Sequence, residues 1–219
     1  MACALVAGIS LAGPAHAEPR EPQHLQVITV RVAEAGSTRG ILEAWTWNES
    51  SGTYVRTLGP VGAYVGSDGV GRASERISRT PAGVFTITDA FGRYRDPGTL
   101  LPYRRVDLSD WWVSDVRSAK YNTLQRCSPG ARCGFDQSRS EQLGAIDAYG
   151  YSIVIDYNRA PVVRGAGSAF FLHVSEGKPT QGCVSIAQRQ LKHLLTWLRP
   201  DAAPLISIGV GADAYAVLG

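Results

Sequence analysis

Short runs in which hydrophobic and polar residues alternate recur along most of the chain. Two of them, at residues 25–32 and 41–47, flank a loop that runs from Gly36 to Gly40. Because alternation with a period of two is typical of half-buried strands, we predict a β-hairpin here. Similar runs predict further strands at 54–58, 63–65, 83–88, 151–157, 169–174 and 205–208.

One later segment has the spacing of an α-helix instead. Four of its leucines fall on one helical face: Leu191, Leu194, Leu195 and Leu198. Ser185 and Gln188 have the spacing of an N-terminal capping box, and Pro200 ends the run. We therefore predict a mainly β protein with one helix that starts directly after Cys183.

No regular period persists between residues 91 and 143, a segment rich in Arg, Asp, Ser, Tyr and Trp. A stretch of this length without a period inside a compact domain is typical of a functional insert or of loops that form a groove. Trp111, Trp112 and Tyr121 either line such a groove or anchor the insert, and the sequence favours neither alternative.

Composition narrows the class of protein further. The chain has 219 residues, of which 44% are hydrophobic and 19% are charged, as expected of one globular domain. Its 22 basic and 19 acidic residues leave a net charge of only +3, with no cluster of Lys or Arg. Nucleic acid is therefore not an expected partner.

The first seventeen residues contain no Lys, Arg, Asp or Glu and end in Ala15-His16-Ala17. Small residues at the two outer positions of that triplet fit a signal-peptidase site, although the usual positive charge at the start of a signal is missing. The apolar run is shorter than the roughly 20 residues of a membrane span. We predict a signal peptide at 1–17 and a secreted, extracytoplasmic protein with no stable membrane span after cleavage; the alternative is a buried helix or short anchor.

Cleavage would remove Cys3 and leave three cysteines in an oxidising compartment. Cys127 and Cys133 bracket a turn-forming Ser-Pro-Gly sequence, so we predict a disulfide between them, worth about 2 to 3 kcal/mol. The alternative is two free thiols. In either case Cys183 is left over, and an unpaired thiol outside the cytoplasm is expected to do chemistry.

A nucleophilic thiol requires a base. A helix start after Cys183 would favour its thiolate, and Gly182 would let a substrate approach backbone N–H groups that can hold an oxyanion. His173 ends a predicted buried strand, and a short loop joins it to the cysteine, which favours a catalytic pair over a satisfied core histidine. His24 and His193 are expected at the surface.

The residues around this pair are Phe-Leu-His at 171–173 and Thr-Gln-Gly-Cys-Val at 180–184. These two motifs resemble the signature of the L,D-transpeptidase family (YkuD-like; ErfK/YbiS/YcfS/YnhG). Thr-Pro-Ala-Gly-Val-Phe at 80–85 is similar to the family's Thr-Pro-x-Gly-x-Phe segment. The resemblance covers residues 25–208, which we predict to be the catalytic domain.

This resemblance implies a β-sandwich or barrel-like domain that acts on bacterial peptidoglycan. It implies that Cys183 is the nucleophile, His173 the general base and Gly182 a backbone oxyanion donor. In such enzymes the thiolate attacks the carbonyl of the third stem-peptide residue and expels D-Ala. An amine of a neighbouring stem then gives a 3→3 cross-link, or water gives L,D-carboxypeptidase activity. The family also implies inhibition by carbapenems. We expect that the protein needs no metal or organic cofactor. We also expect it to be a monomer associated with the cell wall.

Several positions depart from the family pattern. The loop between the histidine and the cysteine is shorter than in many members, Gln181 replaces a frequent His, and Ser185 replaces a frequent Arg or Asn. Together with Thr180 these two residues are expected to contact the substrate. Arg164 is a candidate to supply the missing cation near the groove, although the sequence favours a solvated loop arginine over that role.

Two other functions remain open. A peptidoglycan-binding domain of the same fold that has lost turnover would keep every feature described so far. A sortase-like thiol transpeptidase is disfavoured, because its histidine lies far upstream and its arginine lies on a later strand. Here Arg189 falls on the predicted helix.

Overall fold

The structure is a computed structural model that describes residues 23–219. The predicted signal peptide, including Cys3, lies outside the described residues. The strands are β1 Gln26–Val32, β2 Arg39–Asn48, β3 Thr53–Tyr64, β4 Val70–Gly71, β5 Thr80–Pro81, β6 Gly83–Thr86, β7 Ala90–Gly92, β8 Tyr103–Arg105, β9 Asp110–Trp112, β10 Leu124–Arg126, β11 Glu141–Gln142, β12 Ser152–Val154, β13 Phe171–Val174, β14 Val184–Ile186 and β15 Leu205–Val210. The α-helix is α1 Gln188–Trp197, and short 3-10 helices span Gln137–Arg139, Leu143–Ala145, Asp147–Gly150, Pro200–Ala202 and Gly211–Leu218.

Ten strands form one large sheet in the order β6-β15-β1-β2-β3-β14-β13-β12-β7-β8. The predicted hairpin is β1 paired with β2, in antiparallel register with Val27 opposite Trp45. The strands predicted at 54–58 and 63–65 are one long strand, β3. The mainly β class predicted from the sequence is confirmed, and within residues 23–219 no helix has the length and apolar character of a membrane span.

The sheet buries residues on both faces in the region of β13 and β14. Leu172 and Val184 belong to one hydrophobic cluster, which also holds the buried leucines of α1. Phe171 and Cys183 belong to a second cluster on the opposite face, together with Trp112 and other aromatic residues. Because successive side chains alternate across a strand, this second face also receives the side chain of His173.

The predicted insert contains short strands, three of which form a separate sheet in the order β10-β9-β11. The three aromatic residues that the sequence singled out are buried: Trp111 is 6%, Trp112 2% and Tyr121 2% exposed. The indole of Trp112 donates to Asn122 Oδ1 at 2.8 Å, and that of Trp111 to the Cys127 carbonyl at 2.9 Å. These side chains anchor the insert. The sulfurs of Cys127 and Cys133 lie at bonding distance, with their Cα atoms 5.9 Å apart.

The predicted helix is confirmed, but its predicted start is wrong. Ser185 lies within β14, α1 begins at Gln188, and the N-cap residue Ala187 makes no side-chain capping bond. The capping-box spacing is present, yet pairing of Ser185 with His173 in the sheet takes precedence over a local cap. As a consequence, strand β14 separates Cys183 from the helix, and the sulfur does not lie at the helix N-terminus.

Candidate active site

Three neighbouring strands place polar side chains in a row on one face of the sheet. His173 on β13 is directly opposite Ser152 on β12 and Ser185 on β14. Residues opposite each other in a sheet point to the same side, so a hydroxyl flanks the imidazole on each side. Both hydroxyls are buried and have no hydrogen-bond partner among the described residues.

Cys183 lies immediately before β14, beside Phe171. The backbone N–H of Phe171 donates to the sulfur at 3.4 Å, and the thiol donates to the Ala169 carbonyl at 3.3 Å. His173 is two residues beyond Phe171, so its imidazole lies diagonally across the same face from the sulfur. The structure thus brings the predicted nucleophile and base into one site, with the thiol hydrogen-bonded to the backbone.

The position of Ala169 depends on a residue of the insert. Ala169 has a φ of 58°, which is unusual for a residue with a side chain, and its N–H donates to Asn122 Oδ1 at 3.2 Å. Asn122 is itself buried and held by the indole of Trp112. The insert therefore fixes the carbonyl to which the Cys183 thiol donates.

His173 is 8% exposed, and its Nδ1 lies 2.9 Å from the Val174 carbonyl oxygen. This contact assigns the ring proton to Nδ1 and leaves Nε2 unprotonated, which is the form that accepts a proton. Burial lowers the pKa of His173 and keeps the ring neutral. The ring of Tyr149 packs edge-on against the imidazole, with centroids 5.5 Å apart.

Burial raises the pKa of the Cys183 thiol well above its usual range, and the charge of Glu141 raises it further. The Phe171 N–H and the Tyr149 hydroxyl lower the pKa, but less. The resting pair is therefore a neutral thiol and a neutral imidazole. The expectation of a thiolate stabilised by a helix terminus is wrong, because β14 intervenes and burial dominates.

Gly182 and Thr180 form the turn that presents Cys183. Gly182 has a φ of 132°, and a Cβ there would lie 2.8 Å from a ring carbon of Phe170, so a side chain does not fit. The Gly182 N–H donates to Thr180 Oγ1 at 3.1 Å, and that hydroxyl donates to the Cys183 carbonyl at 2.5 Å. The Gly182 amide predicted to hold an oxyanion is thus occupied by the turn itself.

The other predicted substrate contacts are not all in one place. Gln181 is exposed and Ser185 is buried, and both line the cleft that contains Cys183 and His173. Arg164 is exposed and lines two adjacent depressions rather than this cleft. The structure therefore does not bring Arg164 together with the cysteine.

The cleft has a volume of about 750 Å³. We call the side formed by Cys183, His173 and Ser185 the sheet wall. We call the side formed by residues 138–141 and Tyr149 the insert wall, because most of it comes from the aperiodic segment. Glu75, in the loop before β5, is exposed and also lines the cleft.

Glu141 and Tyr149 are site residues that sequence reasoning missed. The Tyr149 hydroxyl donates to the Glu141 carboxylate, and the Tyr149 ring packs edge-on against Phe171 at 5.4 Å. Burial and the nearby charge of Glu75 raise the pKa of Glu141 to about 7. The available signal was the polar composition of the insert. It predicts a groove but does not identify the side chains that enter the groove. Residues 23–219 contain no group of three or more His, Cys, Asp or Glu arranged to hold a metal ion.

A family model described as the L,D-transpeptidase catalytic domain (YkuD) matches residues 38–207. The match includes every residue of the cleft described above. No curated protein sequence and no solved structure matches the chain.

Proposed function

The chain belongs to the L,D-transpeptidase catalytic domain family, and on that premise we propose that it is an exported enzyme that remodels peptidoglycan by acyl transfer through Cys183. Family membership supports peptidoglycan as the substrate class. The observation that carries the proposal is the placement of Cys183 and a neutral His173 on one face of adjacent strands, within one cleft.

In the first half-reaction the thiol proton moves to Nε2 of His173 as the sulfur attacks the carbonyl of the third stem-peptide residue. The new C–S bond forms, the C–N bond to the terminal D-Ala breaks, and the D-Ala nitrogen takes the proton from His173. Because the pKa values of both side chains favour the neutral pair, proton transfer accompanies attack. With the Gly182 amide occupied, the Cys183 N–H is the proposed donor to the oxyanion.

In the second half-reaction an amine of another stem peptide or a water molecule attacks the thioester carbonyl. The C–S bond breaks, and the sulfur recovers its proton through His173. An amine gives a 3→3 cross-link, and water gives a shortened stem. Gln181 and Ser185 are proposed to contact the stem peptide, whereas Thr180 acts by shaping the turn.

The proposed setting of the reaction is outside the cytoplasm, where the Cys127–Cys133 disulfide would form. A monomer is sufficient, because the described residues supply both reacting side chains and the cleft. Of the cysteines between residues 23 and 219, Cys183 is the one outside that pair.

The proposal is tested by intact mass spectrometry after incubation with a carbapenem, whose strained carbonyl mimics the acyl donor. We expect one adduct per chain, with the mass of the whole carbapenem, and no adduct in Cys183→Ala. His173→Ala should form the adduct much more slowly. Absence of an adduct on folded wild-type protein would favour the alternative, a peptidoglycan-binding domain without turnover.

A sortase-like mechanism finds no support in the geometry. Such a site requires an arginine on a strand beside the cysteine, whereas Arg189 lies on α1 and is exposed. Among the residues that line the cleft, the arginines are Arg76 and Arg139, and neither lies on the sheet wall.

A further inference from the structure

Two carboxylates enter the cleft without a cationic partner. Glu75 and Glu141 both line it, and neither takes part in an ion pair within residues 23–219. The cations that line the cleft do not pair with these two carboxylates: Arg139 pairs with Asp136 at 3.3 Å, Lys178 pairs with Glu176 at 3.2 Å, and Arg76 is exposed and in no ion pair among the described residues. Glu75 and Glu141 are therefore the carboxylates of the cleft that no described cation contacts.

Each carboxylate is hydrogen-bonded through only one of its oxygens. Oε1 of Glu75 accepts from the hydroxyls of Tyr121 and Ser168, the latter at 2.6 Å. Oε2 of Glu141 accepts from the hydroxyl of Tyr149. The second oxygen of each group receives no hydrogen bond from the described part of the chain. Both are thus held in place by hydroxyl donors and keep one oxygen for a further donor.

The two carboxylates influence each other. The charge of Glu75 helps to raise the pKa of Glu141 to about 7. A cation bound between them would relieve this repulsion. A carboxylate with such a pKa also accepts a proton readily near neutral pH.

Ser185 gives independent support for a polar ligand at this site. Its residue is 1% exposed, its hydroxyl has no hydrogen-bond partner in residues 23–219, and it lines the same cleft beside His173. Buried hydroxyls are almost always hydrogen-bonded in folded proteins, so an unpartnered one next to the reacting side chains indicates a place for a substrate group. Its oxygen can accept an N–H.

We propose that Glu141, with Glu75 and Ser185, binds the primary ammonium group of the acyl acceptor, and that the free carboxylate oxygen of Glu141 takes one proton from it. This inference rests on the proposed function, since an acceptor is needed only if an acyl-enzyme forms. For an amine acceptor, it makes Glu141 a catalytic residue of the second half-reaction.

The proton balance of the step is simple. The ammonium group transfers one proton to Glu141, and the resulting neutral amine attacks the thioester carbonyl of Cys183. The N–C bond forms and the C–S bond breaks. The second proton leaves the nitrogen through His173 and reaches the sulfur, while Glu141 releases its proton to solvent. The products are an amide and the free thiol.

The inference is tested by measuring how the acyl-enzyme divides between amine and water. The donor is a stem tetrapeptide ending in D-Ala whose own amines are acetylated, and the acceptor is a stem tripeptide with a free side-chain amine. We expect the ratio of amide to hydrolysis product to fall about 100-fold in Glu141→Gln, the order of magnitude of one general base. The acylation rate is measured alongside and should change far less than this ratio, since the base of that step is His173.

Two controls make the result specific. Glu49→Gln removes an equal charge from an exposed turn far from the cleft and should leave the ratio unchanged. Hydroxylamine as acceptor is largely unprotonated at neutral pH, so its reaction with the acyl-enzyme should be nearly insensitive to Glu141→Gln. A loss with hydroxylamine equal to that with the tripeptide would show general damage to the site and overturn the inference.

Other variants keep the test decisive if Glu141→Gln does not fold. Glu75→Gln and Ser185→Ala should each lower the amide-to-hydrolysis ratio, and we expect about 10-fold because each removes one contact without removing the base. An unchanged ratio in both would contradict the inference. Failure of the wild type to form any acyl-enzyme would instead contradict the proposed function, so the two failures are distinguishable.

Discussion

The two walls of the cleft are held in place by different means. On the sheet wall, the main-chain register of β12, β13 and β14 sets the positions of His173 and Ser185. Glu141 on the insert wall belongs to the two-residue strand β11, which pairs with β9, and side chains support that pairing: the fully buried carboxylate of Asp110 on β9 accepts from Arg104 at 2.9 Å and from Arg126 at 3.0 Å. Pairing within the large sheet thus holds the reacting groups, whereas a short pairing supported by a side-chain network holds the groups facing them.

This difference has a consequence for variation. A side chain on the sheet wall can change without moving its neighbours, because the ladder remains. A change in the network of the insert wall is expected to move the wall as a whole, and with it Glu141 and Tyr149. Variants of the sheet wall are therefore expected to alter the chemistry, and variants of the side-chain network to alter the shape of the cleft.

The largest expected effect is on the sheet wall. His173→Ala removes the proton acceptor for the thiol, and the acylation rate should fall about 1,000-fold, within the range of general-base contributions. The free energy of unfolding should change little by comparison, since the β13 ladder is retained. Stopped-flow or quenched mass measurements with a carbapenem give the rate. A variant as fast as wild type would remove His173 from the mechanism.

The next effect is on the insert wall. Asp110→Ala removes a buried acceptor for two arginines and for the Asp107 N–H, and should lower the free energy of unfolding by about 3 kcal/mol. Asp110→Asn keeps an acceptor of the same shape and should lose less. Urea denaturation followed by tryptophan fluorescence reports the change, because Trp111 and Trp112 are buried beside this residue. Equal loss in both variants would mean that the negative charge of Asp110, and not the shape of its acceptor group, supports the arginines.

The two walls differ in how much of their structure can be predicted from the sequence. The apolar run before His173 and the Gly-Cys pair made the sheet wall predictable, because a period of two and a strict turn leave a local signal. Ser185 was misassigned to a helix cap, because β14 is three residues long and a capping box is equally local. Glu141 was not predicted, because its position depends on its contact with Tyr149 and on the pairing of β11 with β9. A periodic pattern of hydrophobic residues along the sequence does not reveal such contacts.

A smaller effect is expected from the Cys127–Cys133 pair. Closing so short a loop restricts the unfolded chain, so its reduction should cost about 2 kcal/mol of stability. Cys127→Ser with Cys133→Ser tests this by urea denaturation. Because Cys183 is buried, thiols are titrated after unfolding without a reductant, and residues 23–219 should contribute one free thiol, at Cys183. Two additional reactive thiols would mean that the pair is not oxidised.

The smallest effect is a shift in the pH profile of acylation. His173 must be neutral to accept the thiol proton, and burial lowers its pKa below the usual 6.5. The neutral form therefore persists to more acidic pH. As a result, the midpoint of the acid limb of the pH–rate profile should lie below pH 6.5. Carbapenem acylation rates between acidic and neutral pH provide the measurement. An acid limb above 6.5 would mean that the imidazole is stabilised in its charged form.

The central claim is that Cys183 attacks the stem peptide. The most direct measurement is acid quenching of the enzyme with a tetrapeptide donor, followed by peptide mapping. We expect a thioester on the peptide that contains Cys183, with the mass of the donor minus D-Ala, and release of one D-Ala per acyl group. A folded protein that carries no adduct, or carries it on another residue, would contradict the claim.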